Sequence, residues 1–424
     1  MTAAVDLALR QNPTILNQIE EIKQNQGLVC QAQATLLPQV QATADYDQNE
    51  PTISEDIVNE SWKVRITVTQ LLWDGGAAYA NRQEAEINEE AAYYSLRDVI
   101  DTVVETVRTQ FYQVVLDCAL VQVQEEGVKL LKSEVDDQQG RFDAGTATRF
   151  DVLQAETQLQ NQIPRLAAGQ KNYLLAQATL AKILGIVANP QQNGEDPLAV
   201  SGTLDVQPFE VDLENALTVA RVRRPLLRAD QKKIFAALAD RSAAEAGWQP
   251  NVSGNAGLEA ESHPHSNNLR NLADGWQFGV SGQWNLLDGG TTYGKVKTAN
   301  SQIEEAKITL NDAERQVELD VSTAIGNLHR AQQTMIVAKK GVEVSLKSFR
   351  LAYQRRGQGK GSQLDVFNER TQLTTARSNL LRAEYQYLAA IAQYQYATGT
   401  ETTYNDEFDR AGAHPMTMDW PPHR

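Results

Sequence analysis

A repeat of half the chain length limits what this sequence can fold into. Leu71-Leu72-Trp73-Asp74-Gly75-Gly76 is answered by Asn285-Leu286-Leu287-Asp288-Gly289-Gly290, 214 residues later. The same offset carries Trp62 to Trp276, Gly127 to Gly341, Gly145 to Gly359, Asp151-Val152 to Asp365-Val366 and Gly185 to Gly399. Upstream of Trp62 the offset becomes 212 and takes Pro13 to Pro225, Pro38 to Pro250 and Val40 to Val252. One two-residue length change between residues 40 and 62 accounts for the difference, and loop tips tolerate such changes. A period this long means a duplicated domain, not a short-period solenoid. The reading is a first repeat over 1–186, a linker over 187–211 rich in Pro, Gly, Asn and Gln, a second repeat over 212–399, and a tail over 400–424.

Each repeat reads as helix, two strands, long helix, second helix. Trp62, Val64, Ile66 and Val68 alternate with polar residues, as do Trp276, Phe278, Val280 and Trp284, so each run is a strand with one apolar face. Each follows another alternating run, which places strands at about 38–48 and 61–71, and again at about 250–260 and 275–286. The Asp-Gly-Gly after each second strand supplies a tight turn into a helix. Beyond it, Leu96, Ile100, Val103, Val107, Phe111, Val114, Cys118 and Val121 recur in steps of three and four, and Ile303 to Leu328 repeat the pattern. This heptad-like spacing predicts helices over 77–140 and 292–356. At 1.5 Å per residue each is roughly 95 Å long and needs a partner along its length. The following segments, 148–186 and 362–398, are the natural partners, reached through glycine-bearing turns. Pro164 is expected to break or kink the first of them.

The formal net charge of −15, with no basic cluster, argues against a nucleic-acid partner. Two cysteines, Cys30 and Cys118, cannot build a disulfide framework or a zinc cage, and both read as free thiols. His263-Pro264-His265 lies in a hairpin loop without a third ligand nearby, so no metal is expected. No nucleophile and base pairing or phosphate loop is present, which argues against an enzyme and against any cofactor. No window reaches the apolar length of a transmembrane helix, and the first residues lack the basic and apolar regions of an export signal. Either the chain is cytosolic or it is a mature form with its signal removed; the strands favour the second.

Strands of about ten residues with one apolar face suit a bilayer-spanning barrel. A single such hairpin would more often lie on a soluble core, but here each feeds a helix too long for a globule. Open sheet edges are not tolerated in lipid, and four strands cannot close around a lumen. The expected fold is therefore mainly α with a membrane β-barrel, built by an oligomer whose chains pool strands, for which twelve from a trimer is a sensible number. A soluble coiled-coil scaffold is the alternative, and a need for detergent separates the two.

These features resemble the TolC family of outer-membrane efflux proteins, in which the strand pair ends in a similar turn. The family also carries Arg-Phe-x-x-Gly followed by Asp-Val at the helical turn, here Arg141-Phe142-Asp143-Ala144-Gly145 with Asp151-Val152. The resemblance covers roughly residues 3 to 400. It implies a homotrimer with a twelve-stranded barrel in the bacterial outer membrane and an α-helical tunnel that extends through the periplasm. There it would be docked by a periplasmic adaptor and an inner-membrane pump of RND or ABC type, for efflux or for type I secretion. It also implies an aperture ringed by aspartates, at a run that reads Asp365-Val366-Phe367-Asn368 here, so that Asp365 keeps one ring and Asn368 has lost the other. The family's tip lock, which reaches the aspartate matching Asp151, meets Arg356 and Gly361 here. That lock has either become an Arg356–Asp151 ion pair or weakened. Gly145 and Gly359, with Thr146 and Lys360, match adaptor-docking positions, and the apolar strand faces would meet lipid.

Overall fold

The computed structural model describes residues 1–48, 60–186, 200–204, 206–207, 209, 211–262, 269 and 272–400. His263-Pro264-His265 and residues 401–424 lie outside them. The described elements are α1 (Thr2–Gln11), α2 (Pro13–Ala34), β1 (Gln39–Gln48), β2 (Glu60–Trp73), α3 (Ala77–Asp143) and α4 (Arg149–Leu184). They continue with α5 (Leu213–Arg223), α6 (Pro225–Glu245), β3 (Asn251–Ser262), β4 (Leu272–Gln283), α7 (Thr291–Gly357) and α8 (Gln363–Thr398). Two compact units result: Met1–Asn17 with Leu96–Pro225 and Glu314–Arg424, and Gln18–Ser95 with Leu226–Ala313.

The helix that opens each repeat is two helices, not one. Proline lacks the N–H that a helix interior needs but suits the first helical position, so α1 stops before Pro13 and α5 before Pro225. Asn12 completes the first break. Its Oδ1 accepts from the Thr14 N–H at 2.8 Å, while its Nδ2 donates to the Ile183 carbonyl at 2.7 Å. Its counterpart, the buried Arg224, donates to the Tyr396 carbonyl at 2.9 Å, stacks 4.3 Å from the Tyr396 ring and approaches Asp98 at 3.7 Å. In both repeats the break thus ties the opening helix to the end of the closing one.

The apolar stripes of α3 and α7 are buried where the spacing required. Val103, Val107, Phe111 and Val114 are buried on α3, and Ile303, Val317, Val321 and Leu328 on α7. Each such valine removed from water stabilises by about 1.5–2 kcal/mol. Around Tyr387 the core gathers Leu328, Ala331, Met335, Ala383 and Ala390, with Val206, Phe209 and Val211 of the linker packed on it. The Tyr387 hydroxyl accepts from the Phe209 N–H at 3.0 Å and donates to the Gln207 carbonyl. The end of the linker is therefore seated, not loose.

Pro164 does not break α4, which runs unbroken to Leu184. The turn around it is held sideways instead, since Gln162 on α4 donates to Gln124 on α3 at 2.5 Å. Cys30 is exposed and Cys118 half-buried, both as free thiols. No helix among the described residues is long and apolar enough to cross a membrane.

The four strands form one antiparallel sheet in the order β1-β2-β3-β4, so the second strand of the first repeat joins the first strand of the second. Asp74 and Asp288 then launch the long helices. The Asp74 carboxylate accepts from the Gly76 and Ala78 N–H groups at 3.0 and 2.7 Å, and Asp288 accepts from Gly290 and Thr292 at 2.9 and 2.7 Å. Gly75 and Gly289 take the positive φ that this turn demands.

Candidate functional site

The candidate residues of the sequence fall on two features, the helical turns at α3–α4 and α7–α8 and the faces of the sheet. Each helical turn ends in a glycine at positive φ, Gly145 at +76° and Gly359 at +70°. Their N–H groups donate to the Phe142 and Arg356 carbonyls at 2.9 Å, and the next N–H groups, of Thr146 and Lys360, reach back to Arg141 and Arg355. This is a left-handed helix stop that satisfies the last carbonyls. Thr148 and Ser362 then cap the return helices, each closing a capping box with the aspartate three residues on.

Asp151 and Asp365 are those aspartates. Asp151 Oδ2 accepts from the Thr148 N–H and hydroxyl at 2.9 and 2.7 Å, and Asp365 Oδ2 accepts from the Ser362 N–H at 2.9 Å. These bonds favour the ionised form and hold both carboxyls below the usual carboxylate range. Asp365 and Asn368 are both exposed on α8, with Val366 and Phe367 buried between them. Phe367 packs on Leu131 of α3 and Ala155 of α4, which fixes where Asp365 points.

Within the chain Arg356 does not pair with Asp151. It meets Glu134 at 3.5 Å and Asp137 at 3.8 Å, both on α3, because Asp151 is turned into its own capping box. Glu134 is nearly buried and is also approached by Arg370 at 3.9 Å and bonded by Gln363. One carboxylate of the first repeat therefore collects three side chains of α7 and α8. The sequence does hold a signal for it, since Glu134 falls three residues after Leu131 and six after Val128 on the buried stripe of α3, where a charge needs a partner.

Across the sheet, register sorts residues by face. Val40, Val68, Ala256 and Phe278 form one row, and Ala42, Ile66, Leu258 and Trp276 the next. Trp62 and Val64 follow on the same face, as does Val280 opposite Gly254. Most of this band is bare: Trp276 is 80% and Phe278 75% exposed. The opposite face is polar, with Lys63 bonded to Glu259 at 2.5 Å and Arg65 to the same Glu259 at 2.7 Å. Trp284 is not in the strand, contrary to expectation. β3 supplies its last partner at Asn251, opposite Gln283, and the next residue back is Pro250, which has no N–H to donate.

The sequence model of the outer membrane efflux protein family matches residues 4–186 and 216–400. The chain belongs to that family. Nodulation protein T of Rhizobium leguminosarum bv. trifolii is 23% identical over 412 residues, covering 94% of this chain and 85% of the relative. The outer membrane efflux protein BepC of Brucella suis is 23% identical, covering 95% of this chain and 86% of that protein. The solved CmeC outer membrane channel of Campylobacter jejuni shares the fold with a TM-score of 0.81 at 15% identity, covering 94% of this chain and 85% of that one. The sheet of this outer membrane efflux protein divides into one apolar and one polar face.

Proposed function

We propose that three copies of this chain pool their strands into a twelve-stranded barrel across the outer membrane. The helices continue the duct into the periplasm, where a periplasmic adaptor and an inner-membrane pump dock on it for tripartite efflux or type I secretion. The single observation that carries this reading is a sheet with one bare apolar face and two edges, β1 and β4, that are unpaired among the described residues, and an open edge is not tolerable in lipid. Trp62, Val64, Ile66, Val68, Trp276, Phe278 and Val280 would face lipid, and Trp284 would join them once its edge is paired.

At the helical turns, Asp365 repeated around an axis would form the aperture ring, with the amide of Asn368 beside it. Carboxylates so gathered attract cations and repel anions. Closure of the tip rests, in this reading, on the Glu134 cluster with Arg356, since Asp151 is occupied as a cap. Gly145 and Thr146, with Gly359 and Lys360, would form the adaptor-docking turns. Support comes from the exposed Phe150 and Leu364, which occupy equivalent places just beyond them.

Light scattering of the detergent-solubilised protein, corrected for bound detergent, tests the assembly. A trimer is expected, and a monodisperse monomer stable without detergent would overturn the membrane reading.

A further inference from the structure

The duplication does not stop at the end of α8. Thr203-Leu204-Asp205-Val206-Gln207-Pro208, near the end of the linker, is answered in the tail by Thr417-Met418-Asp419-Trp420-Pro421-Pro422, at the same offset of 214. Thr, Asp and Pro recur in place, and the apolar positions stay apolar, Leu204 as Met418 and Val206 as Trp420. Gly185 and Gly399 are related by the same offset, so both runs lie equally far beyond the end of a return helix.

In the linker the motif is a strap. Val206 and Phe209 pack on the core of α7 and α8 around Tyr387, and the Phe209 ring stands edge-on to Tyr394 at 5.5 Å. The Tyr387 hydroxyl accepts from the Phe209 N–H at 3.0 Å and donates to the Gln207 carbonyl at 3.3 Å. This clamp calls on a carbonyl at 207 and an N–H at 209, with a proline, which has no N–H, between them. The tail meets the same demand at the matching places. Pro421 keeps the carbonyl, Pro422 repeats the proline, and the run of prolines ends at His423, which has the N–H.

The seat is duplicated as well. Tyr173 on α4 is the counterpart of Tyr387, and Leu328, Met335, Ala383 and Ala390 around it become Val114, Val121, Gly169 and Ala176. Val114 and Ala176 are buried and Tyr173 is half-buried. The seat loses volume at Val114, Val121 and Gly169, while the strap gains it where Val206 becomes Trp420, so the two changes compensate. Asp117, in place of Ala331, is the polar exception.

We propose that residues 417–423 are a second strap, which seats on Tyr173 of a second copy of this chain. The Tyr173 hydroxyl accepts from the His423 N–H and donates to the Pro421 carbonyl, and Trp420 fills the space over Val121 and Gly169. The choice of copy follows from the first strap, which leaves the end of α4 and seats on the helices of the repeat that comes next, α7 and α8. After α8 the repeat that comes next is the first repeat of another copy. The assignment rests on the trimer reading above and makes the tail an interlock between copies.

Photo-crosslinking of the intact, detergent-solubilised protein tests it. p-Benzoyl-phenylalanine replaces Trp420 in one chain and Phe209 in a control chain, an aromatic for an aromatic in each case. The Phe209 probe should attach to α8 near Tyr387 and Tyr394 within its own chain. The Trp420 probe should attach to α4 around Tyr173 and give covalent dimers and trimers, and Tyr173→Phe should cut that yield several-fold with the mass by light scattering unchanged. Attachment to α4 without covalent dimers overturns the assignment to a second copy. A yield that Tyr173→Phe does not alter overturns the clamp. Attachment elsewhere, or none while the Phe209 probe reacts, overturns the second strap and leaves the trimer standing, whereas a monomer in detergent removes the trimer reading itself.

Discussion

Gly185 sits against Gln11 so closely that a Cβ on it would lie 2.1 Å from the Gln11 carbonyl oxygen. Its φ of +74° closes α4, and the Asn12–Ile183 hydrogen bond holds the same junction from the other side. Gly399 has the same role against Arg223, with its nearest approach at 3.1 Å. Gly185→Ala should therefore be the more damaging substitution. Both variants carry the left-handed strain of about 1–2 kcal/mol, but only Gly185→Ala also forces α1 from α4. Thermal unfolding in detergent should show a larger fall in Tm for Gly185→Ala; equal falls would mean that strain alone decides.

Glu134 should matter more to the tip than Asp151. Removing one partner from a nearly buried ion pair leaves a charge without compensation, which costs up to about 3–5 kcal/mol. Glu134→Ala takes from Arg370 its carboxylate and leaves Arg356 with Asp137 alone, whereas Arg356→Ala leaves Glu134 still with Arg370 and Gln363. In planar bilayers, conductance should rise most for Glu134→Ala and less for Arg356→Ala. Asp151→Asn, whose amide oxygen can still accept from Thr148, should leave conductance unchanged. An Asp151→Asn channel as open as the Glu134→Ala channel would return the closure role to Asp151.

The repeat, the strand faces and the long helices were legible because they rest on residue pattern. A period of two or of three and four is written into the chain wherever one face is buried. The split of each opening helix was also within reach, since Pro13 and Pro225 are visible at equivalent places. What pattern could not give was the choice among partners. Arg356 has several acids to choose from, and it meets Glu134 and Asp137 while Asp151 is held by Thr148 in its own capping box. The end of β4 was misjudged for a related reason, because alternation continues through Trp284 while the partner strand does not.

Asp101 should make stability depend on pH. Burial is the main cause that raises its carboxyl to about 6, reinforced by Asp98 and opposed by Arg97 and Arg224. The folded state thus holds this proton more tightly than the unfolded chain. The resulting contribution is full below about pH 4 and is lost as pH rises through about 6. Asp101→Asn should raise stability above pH 7 by up to about 3 kcal/mol and leave it little changed at pH 4. Tm measured across this range checks the sign, and a variant destabilised at pH 8 would show that the carboxylate is needed in its charged form.

Asp365→Asn should reduce cation selectivity and block by multivalent cations, with little effect on the mass of the assembly in detergent. The amide oxygen can still accept from Ser362, so the cap largely survives while the charge does not. Because the Ser362 N–H holds the Asp365 carboxyl below the usual carboxylate range, selectivity of the parent should fade as acid protonates it, and at a lower pH than in a variant without that cap. Reversal potentials in asymmetric salt measure this. Unchanged selectivity in the variant would move the aperture to other residues.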